Sequence, residues 1–424
     1  VKKLLSLLRQ PFWLILAGMF VWEVLLLSPI CFVADWVNTL GWAKNIQTGG
    51  LAMIYAGKPL YNYPPLMAYT LWPFAQAFPN PDALLDHLYW SKLIPLAFDF
   101  AAAAVAVKWA GDRRREALYL LLLVANPIYI FDSYTWGQID SAYCALVFLT
   151  LFAMLSDRPV VAAILYTLAF NFKIQALLFA PLLGLVLLWK IKNPWPIKRI
   201  LAGVGAAALL QFVILLPFLL AGQLGRMFTI LKNPVNYYQR VSMNAFNFWH
   251  FIYGLQATNH DDTEKAWRGF TLQQVGLALF FGFSLLTLGP LFIRILRAKI
   301  KKLPLAWSEE NLFLLCGMIP LAFFFFCTQM HERYSQPAIL FVTVYAFRTR
   351  RYWLLALLLL AYGINVEFVF HYYVFREDLS PYFLDSRLVA AIFATLIGWL
   401  GWMYYKSLPT VAESRTPETA SPYG

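Results

Sequence analysis

Apolar runs long enough to cross a bilayer recur along the whole chain, and this repetition constrains the fold more than any other feature. A spanning helix needs roughly 20 mainly apolar residues. Twelve candidates fall at 12–30, 91–108, 117–131, 139–155, 159–172, 174–190, 199–221, 272–293, 311–328, 336–347, 352–370 and 388–405. The hydrophobic share is 61% and the charged share only 13%, which excludes a water-soluble enzyme. Aromatics at 18% suit a many-span protein with interfacial belts. The expected fold is all-α, a polytopic membrane protein of about 12 transmembrane helices. The run at 12–30 has no small-residue cleavage site and precedes many further spans, so it is expected to persist as a first helix. Cys31, Cys144, Cys316 and Cys327 have no metal-binding spacing and suggest neither a disulfide framework nor a zinc knot.

Charge then sets the topology. With a cytoplasmic N-terminus, one side collects 22 of the 34 basic residues, including Lys2, Lys3, Arg9, Arg113 to Arg115, Lys299 to Lys302, Arg348, Arg350 and Arg351. The other side's 12 basic residues are balanced by 12 acids. The net +12 is therefore positive-inside topology, with no nucleic-acid partner implied, and the basic runs read as orientation signals near anionic headgroups. One membrane domain is expected over 1–406. Within it lie a first outer loop at 31–90 with interfacial helices and a second large outer loop at 222–271. A Ser/Thr/Pro/Glu-rich tail at 407–424 is expected to be disordered. Both termini are then cytoplasmic. Val1 fits an alternative bacterial start codon, which points to a bacterial plasma membrane.

Polar and aromatic strings gather at the outer ends of the spans. Asp35 follows the first span in CFVADWVNTLGW, where a partly desolvated carboxylate serves either as a general base or as a cap of the next helix. Tyr61 and Tyr63 flank the rigid start Pro64-Pro65 of a helix. Trp136, Gln138 and Asp140 sit in DSYTWGQID, with Asp140 at membrane depth as a functional carboxylate or an N-cap. Lys173 and Gln175 form a turn on the outer side, where a lysine runs against the charge rule. It either meets a phosphate or carboxylate or snorkels to the interface. The second loop carries Asn244, Asn247 and Trp249. His331-Glu332-Arg333-Tyr334 is not a zinc HExxH, because position 335 is Ser. His331 and Arg333 suit a phosphate, Arg333 with bidentate geometry, or else Glu332 and Arg333 form a salt bridge.

Taken in order, an Asp after the first span, YPPL, GQ-x-D, Lys-x-Gln, NAFNFW and HERY resemble the GT-C superfamily of membrane glycosyltransferases. The closest likeness is to bacterial proteins related to the enzyme that adds the second mannose of GPI anchors. A more distant one is to the ER glucosyltransferases that extend dolichol-linked oligosaccharide. The likeness is scattered over residues 35 to 334. It implies a polyprenyl-phosphate sugar donor, an outward-facing site and a base at Asp35. Lys173, His331 and Arg333 would hold the donor phosphate. Tyr61, Tyr63, Trp136, Gln138, Asp140, Gln175, Asn244, Asn247, Trp249, Glu332 and Tyr334 would surround the substrates.

One carboxylate suffices for that chemistry, because a phosphodiester donor leaves as an anion and only the acceptor hydroxyl needs a base. Direct attack inverts the anomeric centre. No cofactor is implied and a metal is not needed, although Asp132 and Asp140 offer oxygen ligands. The acceptor would be lipid-linked or a glycan, the sugar a hexose with mannose favoured, and membrane lipids surround the protein. A multi-span transporter or lipid flippase is the competing class. Such proteins usually carry internal repeats and broken helices at the midplane, whereas here the polar residues gather at the outer ends.

Overall fold

A computed structural model describes residues 11–78, 80–191, 195–232, 238–266, 268–377 and 385–409. Among them are seventeen α-helices and no β-strand. In chain order these are α1 Pro11–Leu25, α2 Val33–Gly49, α3 Pro65–Ala77, α4 Pro81–His87, α5 Leu93–Ala110, α6 Glu116–Val124, α7 Asp140–Leu155, α8 Pro159–Phe172 and α9 Ala180–Lys190. There follow α10 Ile197–Leu220, α11 Leu224–Leu231, α12 Phe248–Tyr253, α13 Leu272–Lys301, α14 Glu309–Phe326, α15 Pro337–Thr349, α16 Tyr352–Phe370 and α17 Ser386–Lys406. The tail expected at 407–424 lies, from residue 410 onward, outside the described residues, as do Lys2, Lys3 and Arg9.

Among the described residues, six helical stretches are long and apolar enough to cross a membrane: Asp82–Ala110, Ile197–Leu220, Leu272–Lys301, Glu309–Phe326, Tyr352–Phe375 and Ser386–Lys406. Five shorter apolar ones, Pro11–Leu25, Asp140–Leu155, Pro159–Phe172, Ile174–Lys190 and Pro337–Thr349, accompany them. The chain is a polytopic membrane protein. The run at 117–131 differs from the expected span: its helix, α6, is 9 residues long and stops at Val124. Pro127 lacks an N–H and disfavours a helical conformation at Asn126. The Asn126 side chain instead accepts from the Ile128 N–H at 2.9 Å.

Burial follows the apolar pattern around each helix. In α7 thirteen of 16 residues are buried, so this helix is the centre of the bundle, packed between α5 and α8. α14 is equally enclosed, against α15 and α17. At the periphery, α10 and α13 leave Leu201, Leu209, Phe212, Leu285, Leu286 and Ile293 exposed, the face that lipid would cover. The one amide on the α10 surface that meets α8, Gln211, exchanges hydrogen bonds with Asn171 at 2.7 and 3.2 Å, so both amides are satisfied inside an apolar contact. α13 opens on a capping box, with Thr271 accepting from the Gln274 N–H at 3.2 Å and the Gln274 side chain accepting from the Thr271 N–H at 3.0 Å.

Between residues 31 and 90 the chain forms α2, α3 and α4, and from Asp82 it runs into the long apolar stretch that ends at Ala110. α2 packs on α3, and α3 begins at Pro65, where a missing N–H leaves no orphan donor. The first turns of α2 and α7, the turn between α8 and α9 and the segment after α14 all converge on one end of the bundle.

Candidate active site

Four side chains from distant parts of the sequence form a buried ionic cluster. Asp140 is the first residue of α7, but its side chain makes no cap. One carboxylate oxygen accepts from Lys173 Nζ and the other from Arg333 Nε at 3.2 Å. Arg333 Nη1 donates to Glu332 at 2.6 Å. Its Nη2 stands 3.7 Å from Asp35, beyond hydrogen-bonding reach. The side chains of Lys173, Asp140, Glu332 and Arg333 are all nearly fully buried, while Asp35 is 29% exposed. Two cations thus lie in the floor, and the carboxylate of Asp35 stands at the rim.

Asp35 lies in the first turn of α2 and is not its N-cap, which is Phe32. Its Oδ2 accepts from the Trp136 indole N–H at 2.8 Å. Trp136 is held in turn by stacking on Phe32, with ring centroids 4.3 Å apart, and its face lies 5.3 Å from the Arg333 guanidinium. One indole therefore fixes the base candidate with its edge and the cation with its face.

Behind this contact is a residue that the sequence reading counted only as an outer charge. Lys92 is fully buried, and its Nζ donates to the carbonyls of Ser28, Ile30, Tyr134 and Thr135 at 3.0, 2.5, 3.0 and 3.5 Å. It ties the chain entering α2 to the turn that carries Trp136. Gly137, at φ 85°, closes the same corner. A Cβ there would lie 3.1 Å from Lys92 Cε and 3.2 Å from the Trp36 ring, so glycine is needed for both space and backbone. Lys92→Met keeps the stem and strands the carbonyls it holds, each costing about 1–3 kcal/mol when left unsatisfied. A clear fall in unfolding temperature in detergent is expected, and an unchanged one would remove the stapling role.

The protonation pattern follows from burial and charge. At Lys173, burial pulls the pKa down, but the Asp140 carboxylate outweighs it and the ammonium stays charged. At Glu332, burial pushes the pKa up and Arg333 overrides it, holding the carboxylate ionised. Asp132 is the exception. It is fully buried, neither oxygen accepts a hydrogen bond, and the nearest cation, Arg333 Nε, is 4.0 Å away. Burial, reinforced by the charge of Asp140, raises its pKa well above the usual range and so favours the protonated acid.

An acid raised in this way stabilises the fold fully below its unfolded pKa, about 3.9. That benefit is lost as pH rises towards the folded value. Asp132→Asn, permanently neutral and of the same shape, is therefore expected to gain stability over the parent as pH rises from about 4 to about 7. Unfolding temperatures at the two pH values measure this, and a gain that shrinks with pH would contradict it.

The remaining candidates divide by position. Tyr63, partly buried, donates to Gln138 at 3.4 Å, and its ring lies 5.9 Å from Lys173 Nζ. Tyr334 covers the same ammonium at 4.7 Å. His331 packs edge-on against Tyr334 and Tyr238 and lies 3.8 Å from Glu332. Gln175, half-buried, follows Lys173 in a short 3-10 segment.

Tyr61 is fully buried and donates to the Pro64 carbonyl at 2.9 Å. Asn247 donates to the carbonyls of Phe324 and Cys327 at 3.0 and 3.3 Å, and Trp249 to that of Phe326 at 3.0 Å, so both dock the second loop on the end of α14. Asn244, at φ 64°, pairs its backbone with His331, and its carbonyl accepts from Asn365 Nδ2 at 2.7 Å. Asn365 also went unnoticed in the sequence, where an amide inside an apolar span was its only signal. Among the described residues no group of three or more His, Cys, Asp or Glu side chains is arranged to hold a metal ion.

Residues 128–256 match the family described as ALG3 protein. That stretch holds Trp136, Gln138, Asp140, Lys173 and the NAFNFW string, and leaves Asp35 and His331 to Tyr334 outside it. The chain is also similar to GPI mannosyltransferase 1 of Saccharomyces cerevisiae, 26% identical over 151 residues, which is 34% of this chain and 35% of that protein. GPI mannosyltransferase 1 of Kluyveromyces lactis is 25% identical over 159 residues, 37% of this chain and 36% of that protein. The chain thus spans about a third of the length of the curated relatives it matches. The likeness is to mannosyltransferases. The two relatives carry the name GPI mannosyltransferase 1, where the motifs resembled the enzyme of the second mannose.

Proposed function

We propose that this polytopic membrane protein transfers a hexose, with mannose favoured, from a polyprenyl-phosphate donor to an acceptor hydroxyl at the outer membrane face. The observation that carries the reading is the place of Asp35. It is the one partly open carboxylate at the site, oriented by the Trp136 indole N–H at 2.8 Å and 3.7 Å from a guanidinium whose other nitrogens are already engaged.

In this reading the acceptor oxygen attacks the anomeric carbon, and its proton passes to Asp35. The bond from the anomeric carbon to the phosphate oxygen breaks, the phosphate leaves as an anion, and the configuration inverts. The free Nη2 of Arg333, with His331 beside it, meets the phosphate oxygens, where charge grows in the transition state. Lys173 lies behind Asp140 and acts through its field and by holding that carboxylate. Asp140 and Glu332 keep Arg333 in place. The cations that the reaction needs are side chains, so the proposal is metal-independent. It places the chain in a bacterial plasma membrane, with its site outward and both termini cytoplasmic.

Purified protein incubated with polyprenyl-phosphate mannose, or glucose in parallel, and a native lipid extract tests it by mass spectrometry. Release of polyprenyl phosphate with a product one hexose heavier is expected, and the mass identifies a lipid-linked or glycan acceptor. A folded protein that consumes neither donor would shift the reading to a transporter or flippase.

A further inference from the structure

At the far end of the bundle, one helix length or about 20–27 Å along α5 and α15, the structure brings together two arginine runs that are separated by more than two hundred residues. The end of α5 supplies Arg113 and Arg114, and the end of α15 supplies Arg348 and Arg350. Together they line an open hollow of about 510 Å³, with Phe347 among the lining residues. Both helices finish on left-handed residues, Gly111 at φ 79° and Arg350 at φ 59°, which end them at this opening.

The charge at this opening is only partly neutralised. Arg348 is paired with Glu309 and with Glu310, the latter at 2.9 Å, and the lining Asp112 is taken by Arg115 at 3.6 Å. Among the described residues, Arg113, Arg114 and Arg350 have no carboxylate within 4.0 Å, and all three are exposed. Basic residues after a helix C-terminus have an ordinary use in offsetting its dipole, but two such ends supply only about half a negative charge each. Three unpaired guanidiniums leave about two positive charges over.

Next to the cavity the surface changes character. Leu118, Leu121 and Leu122 of α6 and Tyr352 and Trp353 of α16 are exposed and apolar. Arg115 Nη1, donating to the Tyr352 hydroxyl at 2.8 Å, ties the two helices together there. A basic hollow beside an apolar face is the shape a lipid phosphate with its acyl chains would fill.

We infer that the cavity between the ends of α5 and α15 binds a phosphate-bearing anion, the headgroup of an anionic phospholipid in the leaflet opposite the Asp35 site. Delipidated full-length protein titrated with phosphatidylglycerol or phosphatidylcholine, and read by native mass spectrometry, tests this. Wild type is expected to retain phosphatidylglycerol at far lower lipid concentration than phosphatidylcholine. Arg113→Gln, Arg114→Gln and Arg350→Gln should each weaken that retention about fivefold, and the three together about a hundredfold. A Lys301→Gln, Lys302→Gln control, basic but away from the cavity, should not change it.

Inorganic phosphate is the second probe. Phosphatidylglycerol that stays bound in its presence marks the lipid as the source. Displacement by inorganic phosphate, lost in the triple variant, overturns the lipid assignment and marks a soluble phosphate site. Equal retention of the two lipids, or retention unchanged in the single variants, overturns the proposal outright. The single variants keep this decisive if the triple one fails to fold.

Discussion

Asp35→Asn is expected to lower hexose transfer by about 10²–10⁴-fold, the range that a positioned general base supplies, while unfolding temperature and donor binding stay close to the parent's. The side chain is partly exposed, and the Asn carbonyl oxygen can still accept the Trp136 indole N–H, so the fold has little reason to change. On the proposed mechanism, what is lost is an acceptor for the hydroxyl proton. Asp35→Glu gives the complementary result. It keeps the basicity but moves the carboxylate by one methylene, so partial activity with a normal unfolding temperature is expected. Transfer rates from release of polyprenyl phosphate, set beside thermal unfolding in detergent, separate these outcomes. A fully active Asp35→Asn protein would remove Asp35 as the base and leave Arg333 and Lys173 without a reaction partner at the rim.

Arg333→Met is expected to damage both stability and activity. It leaves Asp140 and Glu332 buried with one cation fewer, and breaking a buried pair in this way costs about 3–5 kcal/mol. On the proposed mechanism it also removes a donor to the developing phosphate charge, an effect of about 10²–10³ in rate. The two losses can be separated. Combining Arg333→Met with Glu332→Gln removes the stranded charge next to it, so stability should recover in large part while transfer stays low. Arg333→Lys keeps the charge but cannot reach Asp140 and Glu332 together as the planar fork does. Recovery of transfer along with stability in the double variant would show that Arg333 supports the fold and nothing more.

The sequence alone was informative where local physics decides. Runs of apolar residues can be satisfied in lipid only by helices, so the all-helical, many-span character was legible from composition and spacing. Some prolines marked true boundaries, as at Pro65, where α3 begins, whereas Pro73, Pro217, Pro290 and Pro320 lie inside helices. The span expected at 117–131 fails for the same reason, since Pro127 breaks a run that hydropathy reads as continuous. Of the strings singled out, those with Asp35, Trp136, Asp140, Lys173 and Glu332-Arg333 meet in one cluster. Asn247 and Trp249 come from an equally polar-aromatic string, yet their donors are taken up by the carbonyls at the end of α14. Nothing in their spacing separates the two cases.

Lys92 shows the limit from the other side. In sequence it is one outer lysine among several. Its burial and its carbonyl partners arise only because the chain after α1 and the turn before α7 close over it. The same holds for the distant arginine runs, which read singly as orientation signals and line one cavity only once α5 and α15 end side by side.

Local sequence thus determined which stretches are helices in a membrane and at which ends the ionisable residues stand, because desolvating a backbone or a charge is a cost each segment meets by itself. Tertiary structure alone decided which charges face one another: that Asp140 is shared by Lys173 and Arg333, that Asp132 has no hydrogen-bond partner for its carboxyl among the described residues, and that one indole joins Asp35 to Arg333. Those pairings depend on distances across the bundle, which no spacing along the chain encodes.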